Sequence, residues 1–247
     1  MLYSNSKVYS IEKGCPWYDL QQYFGPPNVK WCEQTRCALI TEPATTWSNF
    51  GMILPGLIIW KLSRNCEFKW IRLFGLNLML MGLLSFFYHA TNNLATQFID
   101  FIGMYLYTGT IITINHARLK LNGESHTNFF MLVMGINVLL LSLFIFFDLS
   151  YQALILLNIV VVLIQEFLVF KQKPRVETKY GQLWISLIFM AMAQSFSLMD
   201  HTRIWCHPTN SVLHGHAIWH ILAGISGIFS FMYYRQFDSL LAKKKNY

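Results

Sequence analysis

Residues Leu132–Phe147 read LVMGINVLLLSLFIFF. Only Gly135, Asn137 and Ser142 interrupt the apolar side chains, and no charge appears. Polar and apolar residues do not alternate, which excludes a membrane β-barrel strand. In lipid each backbone N–H and C=O needs a partner within the segment, so such a run forms a helix. About 20 helical residues cross a ~30 Å hydrocarbon core, and the run extends to 127–147. Six further runs of that kind lie around it, at 44–63, 69–91, 96–117, 150–170, 180–200 and 213–234. The sequence therefore predicts an all-α membrane protein, a bundle of seven transmembrane helices.

Composition agrees. The 247 residues are 54% hydrophobic, 16% aromatic and 13% charged. Soluble domains average about 25% charged residues, so this chain has too few charges to coat a water-facing globule. Disorder is excluded, since it needs low hydrophobicity and high charge. Five cysteines are too few for a disulfide-dense scaffold. The net charge of +7 is spread in short clusters between apolar runs, which argues against a nucleic-acid partner.

Those clusters set an orientation, because cytoplasmic connections are rich in Lys and Arg. Lys61, Arg64, Lys69 and Arg72 flank the first connection. Arg118 and Lys120 lie at the third, and Lys171, Lys173, Arg175 and Lys179 at the fifth. Arg235, Lys243, Lys244 and Lys245 are in the tail. The second and fourth connections have no basic residue and the sixth has only Arg203. The C-terminus is thus expected in the cytoplasm and the N-terminus outside or in a lumen, with Lys7, Lys13, Lys30 and Arg36. No cleavable signal peptide is read in the first 43 residues, which are polar and aromatic with Pro16, Pro26 and Pro27. The expected organisation is an N-terminal non-cytoplasmic loop (1–43) capping a site, a seven-span domain (44–235) and a basic tail (236–247).

Ionisable residues inside spans are costly and usually functional. Here they collect at one membrane depth, the non-cytoplasmic end. The second span ends with Ser85 and His89, the third begins near Asp100, and the seventh begins with His214, His216 and His220. His216 and His220 are four apart and share a helix face, the spacing of a two-histidine metal clamp. Ser85 and His89 share a face in the same way. One imidazole from the second span and two from the seventh make three neutral nitrogen ligands for Zn²⁺, leaving a fourth position for water. A water there reaches a pKa of about 7. Asp100 can accept its proton or orient it, and Ser85 can donate to an oxyanion. Each residue also has a plainer explanation. Interfacial histidines bond headgroups or backbone, serines in spans bond their own i−4 carbonyl, and Asp100 can pair with a histidine without metal. Convergence at one depth favours the metal site over five separate coincidences.

Ser85-x3-His89, Asp100 and His216-x3-His220 resemble the alkaline ceramidase family. That family lies within a seven-span superfamily of metal hydrolases that also holds the adiponectin-type receptors. Trp31-Cys32-Glu33, Glu42 and Thr46–Asn49 (TWSN) are similar to its N-terminal loop and first span, and HAIWHILAG (216–224) to its last. The resemblance covers about residues 26–235. It implies a Zn²⁺-dependent amidase cleaving ceramide, or a ceramide-like lipid, to a sphingoid base and a fatty acid. His89, His216 and His220 would hold zinc, Asp100 would act on its water and Ser85 on the oxyanion. It also implies a disulfide between Cys32 and Cys206, with Cys37 near enough to compete. Cys66 is expected to be a free thiol, and Cys15 is unassigned. A calcium site of the family would map to Trp31, Glu33 and Glu42. Here Lys30 replaces the usual acid and Thr35 an Asn. An ammonium in place of an oxygen ligand argues against Ca²⁺, and Lys30 either bridges Glu33 and Glu42 or points to solvent.

Elsewhere, His214 falls on another face from His216 and is expected to be satisfied or solvent-facing. Glu166 is expected to snorkel or pair with Lys171, and Asp200 to hold Arg203 or His201. Trp47, Trp70, Tyr88, Trp184, Tyr233 and Tyr234 look like an interfacial belt. The expected partners are the bilayer and its lipids. The expected location is the inner membrane of a bacterium, or the endoplasmic reticulum or Golgi of a eukaryote. The rival class is a receptor-like lipid-binding member of the superfamily with little turnover. A transporter or channel fits less well, because the polar residues gather at one end and line no path.

Overall fold

The computed structural model describes residues 11–120, 126–147, 149, 151–172 and 178–242. Lys7, Lys173, Arg175 and Lys243–Lys245, used above for orientation, lie outside them. Among the described residues every regular element is a helix. In chain order these are α1 (Tyr18–Phe24), α2 (Pro43–Ser48), α3 (Phe50–Ser63), α4 (Lys69–Thr91) and α5 (Leu94–Leu119). They continue as α6 (His126–Phe146), α7 (Gln152–Lys171), α8 (Gly181–His201), α9 (Gly215–Arg235) and α10 (Asp238–Ala242).

Among the described residues five helices, α4 and α6 to α9, are long and apolar enough to cross a membrane. The first expected run is split at Asn49 into α2 and a 14-residue α3. The third is α5, 26 residues long, whose apolar character is diluted by Gln97, Asp100 and interspersed Tyr and Thr. Its position explains those residues. α5 packs against α4, α6 and α7, so its polar side chains meet protein, and Thr110 accepts a hydrogen bond from Asn77 of α4 at 2.6 Å. Polar pairs between helices are a usual adhesive where lipid makes apolar contact no advantage. α6 is the opposite case. Only its Asn137 and Leu141 are buried, while Met131, Leu132, Ile136 and Leu139 are exposed. An exposed apolar face of that size suits hydrocarbon surroundings and not water.

The other neighbours follow from small residues. α3 lies between α4 and α9, and α8 lies along α9. A Cβ built at Gly224 would fall 1.7 Å from the Gly51 carbonyl oxygen, and one at Gly75 would fall 2.2 Å from the Trp60 backbone nitrogen. Close backbone approach of this kind lets helices pack by van der Waals contact in lipid. α7 rests on α5 and also meets α6.

Several expectations about polar and aromatic residues change. Glu166 does not pair with Lys171. It accepts from Arg118 at 2.5 Å, Tyr234 at 2.9 Å and Tyr233 at 2.8 Å, joining α5, α7 and α9. A buried carboxylate needs this many donors. Trp47 and Trp184 are exposed, but Trp70, Tyr88, Tyr233 and Tyr234 are core. Tyr hydroxyls tolerate that burial when partnered, and Tyr88 donates to the Val29 carbonyl at 3.0 Å.

Candidate metal centre

The site forms where the end of α4, the start of α5, the start of α9 and the α2 segment meet. Asn92, in a left-handed conformation (φ 49°), ends α4 by donating its N–H to Tyr88. Asn93 then caps α5 by accepting from the Thr96 N–H at 3.1 Å. Asn tolerates left-handed backbone better than most residues. The tight turn holds α5 antiparallel to α4, so Asp100 returns beside Ser85 and His89. α2 begins with Pro43, whose missing N–H costs nothing at that position. Glu33 caps it from the preceding loop, accepting from the N–H groups of Ala44 (2.7 Å) and Thr45 (2.9 Å).

His89, His216 and His220 are buried, and one nitrogen from each lies within 4.8 Å of the others. His89 Nδ1 donates to Glu42 Oε2 at 2.8 Å. Its Nε2 therefore carries a lone pair and faces His216 Nε2 at 3.2 Å. His220 Nδ1 lies 2.7 Å from Ser48 Oγ. That hydroxyl already donates to the Thr45 carbonyl at 2.9 Å, so it accepts from His220 and leaves Nε2 unprotonated. Such hydrogen bonds on the far ring nitrogen fix tautomer and orientation in histidine metal sites. Two facing imidazole nitrogens repel unless a proton or a cation lies between them, so the donor set fits a divalent metal such as zinc.

Ser85 Oγ lies 3.4 Å from His220 Nε2, and Asp100 lies close enough to Ser85 and His89 to interact with both. Asp100 is buried, yet its Oδ1 has no hydrogen-bond partner among the described residues. An orphaned carboxylate oxygen beside three converging imidazoles is placed to take a proton from water or substrate.

Glu42 continues the chain of contacts outward. Lys30 Nζ meets Glu42 Oε1 at 2.5 Å and also contacts the Thr35 hydroxyl. Asn92 Nδ2 donates to both groups. Burial pushes the Glu42 carboxyl up, but the Lys30 ammonium and the His89 contact outweigh it and hold it down at about 2. Lys30 thus contacts Glu42 and not Glu33, which is committed to α2. The Trp31 ring does not face this group either; it stacks on His216.

Cys32 is bridged to Cys206 and Cys15 to Cys37, while Cys66 is a free, buried thiol. Cys32, Asp200 and His214 also cluster, but the Cys32 sulfur is spent in its disulfide. Asp200 holds neither Arg203 nor His201 through its carboxylate. It accepts from the N–H groups of Cys32 (2.7 Å) and His216 (3.2 Å). His214 is buried, bonded to the Asn210 carbonyl. Ser48 and the Glu42–His89 contact were missing from the sequence reading.

The geometry defines a class: an all-helical protein with apolar outer faces and a buried three-imidazole cluster beside a free carboxylate. A family model described as Ceramidase matches residues 27–247, and the chain belongs to that family. Membership implies hydrolysis of a lipid amide of the ceramide type. No curated protein sequence matches the chain.

Proposed function

We propose that this protein is an intramembrane zinc-dependent amidase that cleaves ceramide, or a ceramide-like lipid, to a sphingoid base and a fatty acid. It crosses the bilayer seven times, through α2–α3 and α4 to α9, with the N-terminus outside or luminal and the tail in the cytoplasm. The observation that carries the reading is the set of three buried imidazoles whose inward nitrogens converge while outward hydrogen bonds fix two of the rings.

His89, His216 and His220 would hold the ion. Bound there, zinc supplies a Lewis acid and makes water acidic enough to provide hydroxide near neutral pH. The residues do the rest. Asp100 takes the proton at Oδ1 and returns it to the departing amine nitrogen, since an amine leaves poorly as an anion. Ser85 Oγ donates to the carbonyl oxygen as it gains charge. An apolar substrate of this kind would arrive sideways from the bilayer.

Calcium is not expected at the Trp31, Glu33 and Glu42 positions. Lys30 supplies a fixed positive charge against Glu42, and Glu33 is engaged as a helix cap, so Ca²⁺ lacks its oxygen ligands.

The test uses purified full-length protein in lipid nanodiscs with a ceramide. Release of sphingoid base and fatty acid is expected, lost with a zinc chelator, restored by Zn²⁺ and indifferent to added Ca²⁺. Lipid binding without products would favour a receptor-like member of the family. A strong calcium requirement would overturn the role given to Lys30.

A further inference from the structure

Two of the three imidazoles are fixed by hydrogen bonds, His89 by Glu42 and His220 by Ser48. The third is not. His216 is buried and its Nδ1 has no hydrogen-bond partner among the described residues. A ligand ring with a free far nitrogen can turn about its Cβ–Cγ bond, and a turned ring misdirects its lone pair.

What meets His216 instead is aromatic. The Trp31 ring lies parallel to it, with centroids 3.5 Å apart and planes 8° off. Trp219 lies at 5.4 Å and 10°. His216 is therefore held by planes stacked against it. Trp31 is fixed in turn on both flanks. The Val29 carbonyl accepts from Tyr88 at 3.0 Å. Cys32 is bridged to Cys206, and its carbonyl accepts from Arg203 at 3.2 Å. The Asp200 carboxylate ties the two rings together: one oxygen takes the Cys32 N–H and the other takes the His216 N–H. A single side chain thus sets the register of Trp31 over His216.

We propose that Trp31 is a positioning residue for His216, whose indole face orients that imidazole for metal as Glu42 and Ser48 orient the other two. The N-terminal segment is then part of the metal centre and not only a cover over it. The inference rests on the zinc reading above.

The test compares Trp31→Phe with Trp31→Met in the full-length protein. Both remove volume, but only Phe keeps a π face. Three quantities are read: zinc affinity by competition with a chromophoric chelator, the rise in Tm on adding zinc, and the visible spectrum of the Co²⁺-loaded protein. Loss of a supporting contact in a metal site costs about 10–100-fold in affinity. The Met variant is expected to show a loss of that order, a smaller zinc-linked rise in Tm and an altered Co²⁺ spectrum. The Phe variant is expected to lie close to the wild type in all three, although its metal-free Tm falls as much as that of the Met variant. Trp31→Leu replaces Met if the Met variant does not fold. Equal zinc affinity in the Phe and the non-aromatic variants would reduce Trp31 to packing and overturn the inference while leaving the zinc reading intact. A wild-type protein that takes up no transition metal would overturn both.

Discussion

Replacing His89, His216 or His220 by alanine is expected to remove bound metal and lipid hydrolysis together. Each variant leaves two imidazoles, too few to fill the three protein positions of a catalytic zinc. The loss of zinc affinity should exceed the roughly 10–100-fold that follows from losing an outer partner. Stability should change with metal as well. Binding to the folded state alone adds RT ln(1 + [L]/Kd), about 2.7 kcal/mol at 100 Kd, and the variants should lose this zinc-linked rise in Tm. His214→Ala is the control. His214 is also buried and two residues from His216, but it bonds the Asn210 carbonyl and is not one of the three converging imidazoles. It should keep stoichiometric zinc. Elemental analysis beside a product assay checks both statements, and a His216→Ala protein with a full complement of zinc would remove that residue from the site.

The inner residues of this centre were legible because helix geometry is periodic. Four-residue spacing placed His216 with His220 and Ser85 with His89, and charge asymmetry placed the three segments at one end. No such rule reads the contacts made by the loop. Ser48, the last residue of α2, meets His220 through the packing of α2 against α9, a contact 172 positions apart in sequence. Glu42 reaches His89 across 47 positions of sequence. Glu33 stands near Lys30 in the chain, yet it faces the free N–H groups at the start of α2, which form a strong local site for a carboxylate. Glu166 failed for the same reason. Its neighbour in sequence was Lys171, but helix ends meet partners in space, and Arg118 of α5 was the buried cation there. Trp70 shows the limit of reading belts from span ends. It sits at the first turn of α4, where an interfacial tryptophan is expected, but its ring packs 4.6 Å from that of Phe130 in α6.

Asp100→Asn is expected to keep zinc and to lower kcat by about 10²–10⁴-fold, the range of a removed general base. The amide has nearly the shape of the carboxylate, so the contact with Ser85 and the packing of α5 should survive. What disappears is the basicity of Oδ1, the oxygen without a hydrogen-bond partner among the described residues. KM should change little, because Asp100 acts on the proton and not on the lipid chains. Ser85→Ala separates the two roles. It removes one donor to the developing oxyanion and should cost about 10²-fold, less than the most severe loss expected for Asp100. The double variant should fall short of the product of the two effects, since groups that act on one reacting centre are not additive. The decisive comparison is zinc content against turnover. Full metal with little turnover in Asp100→Asn assigns it the proton. Metal lost in step with activity would make Asp100 a ligand, and the cluster would then be three imidazoles and a carboxylate with no position left for water.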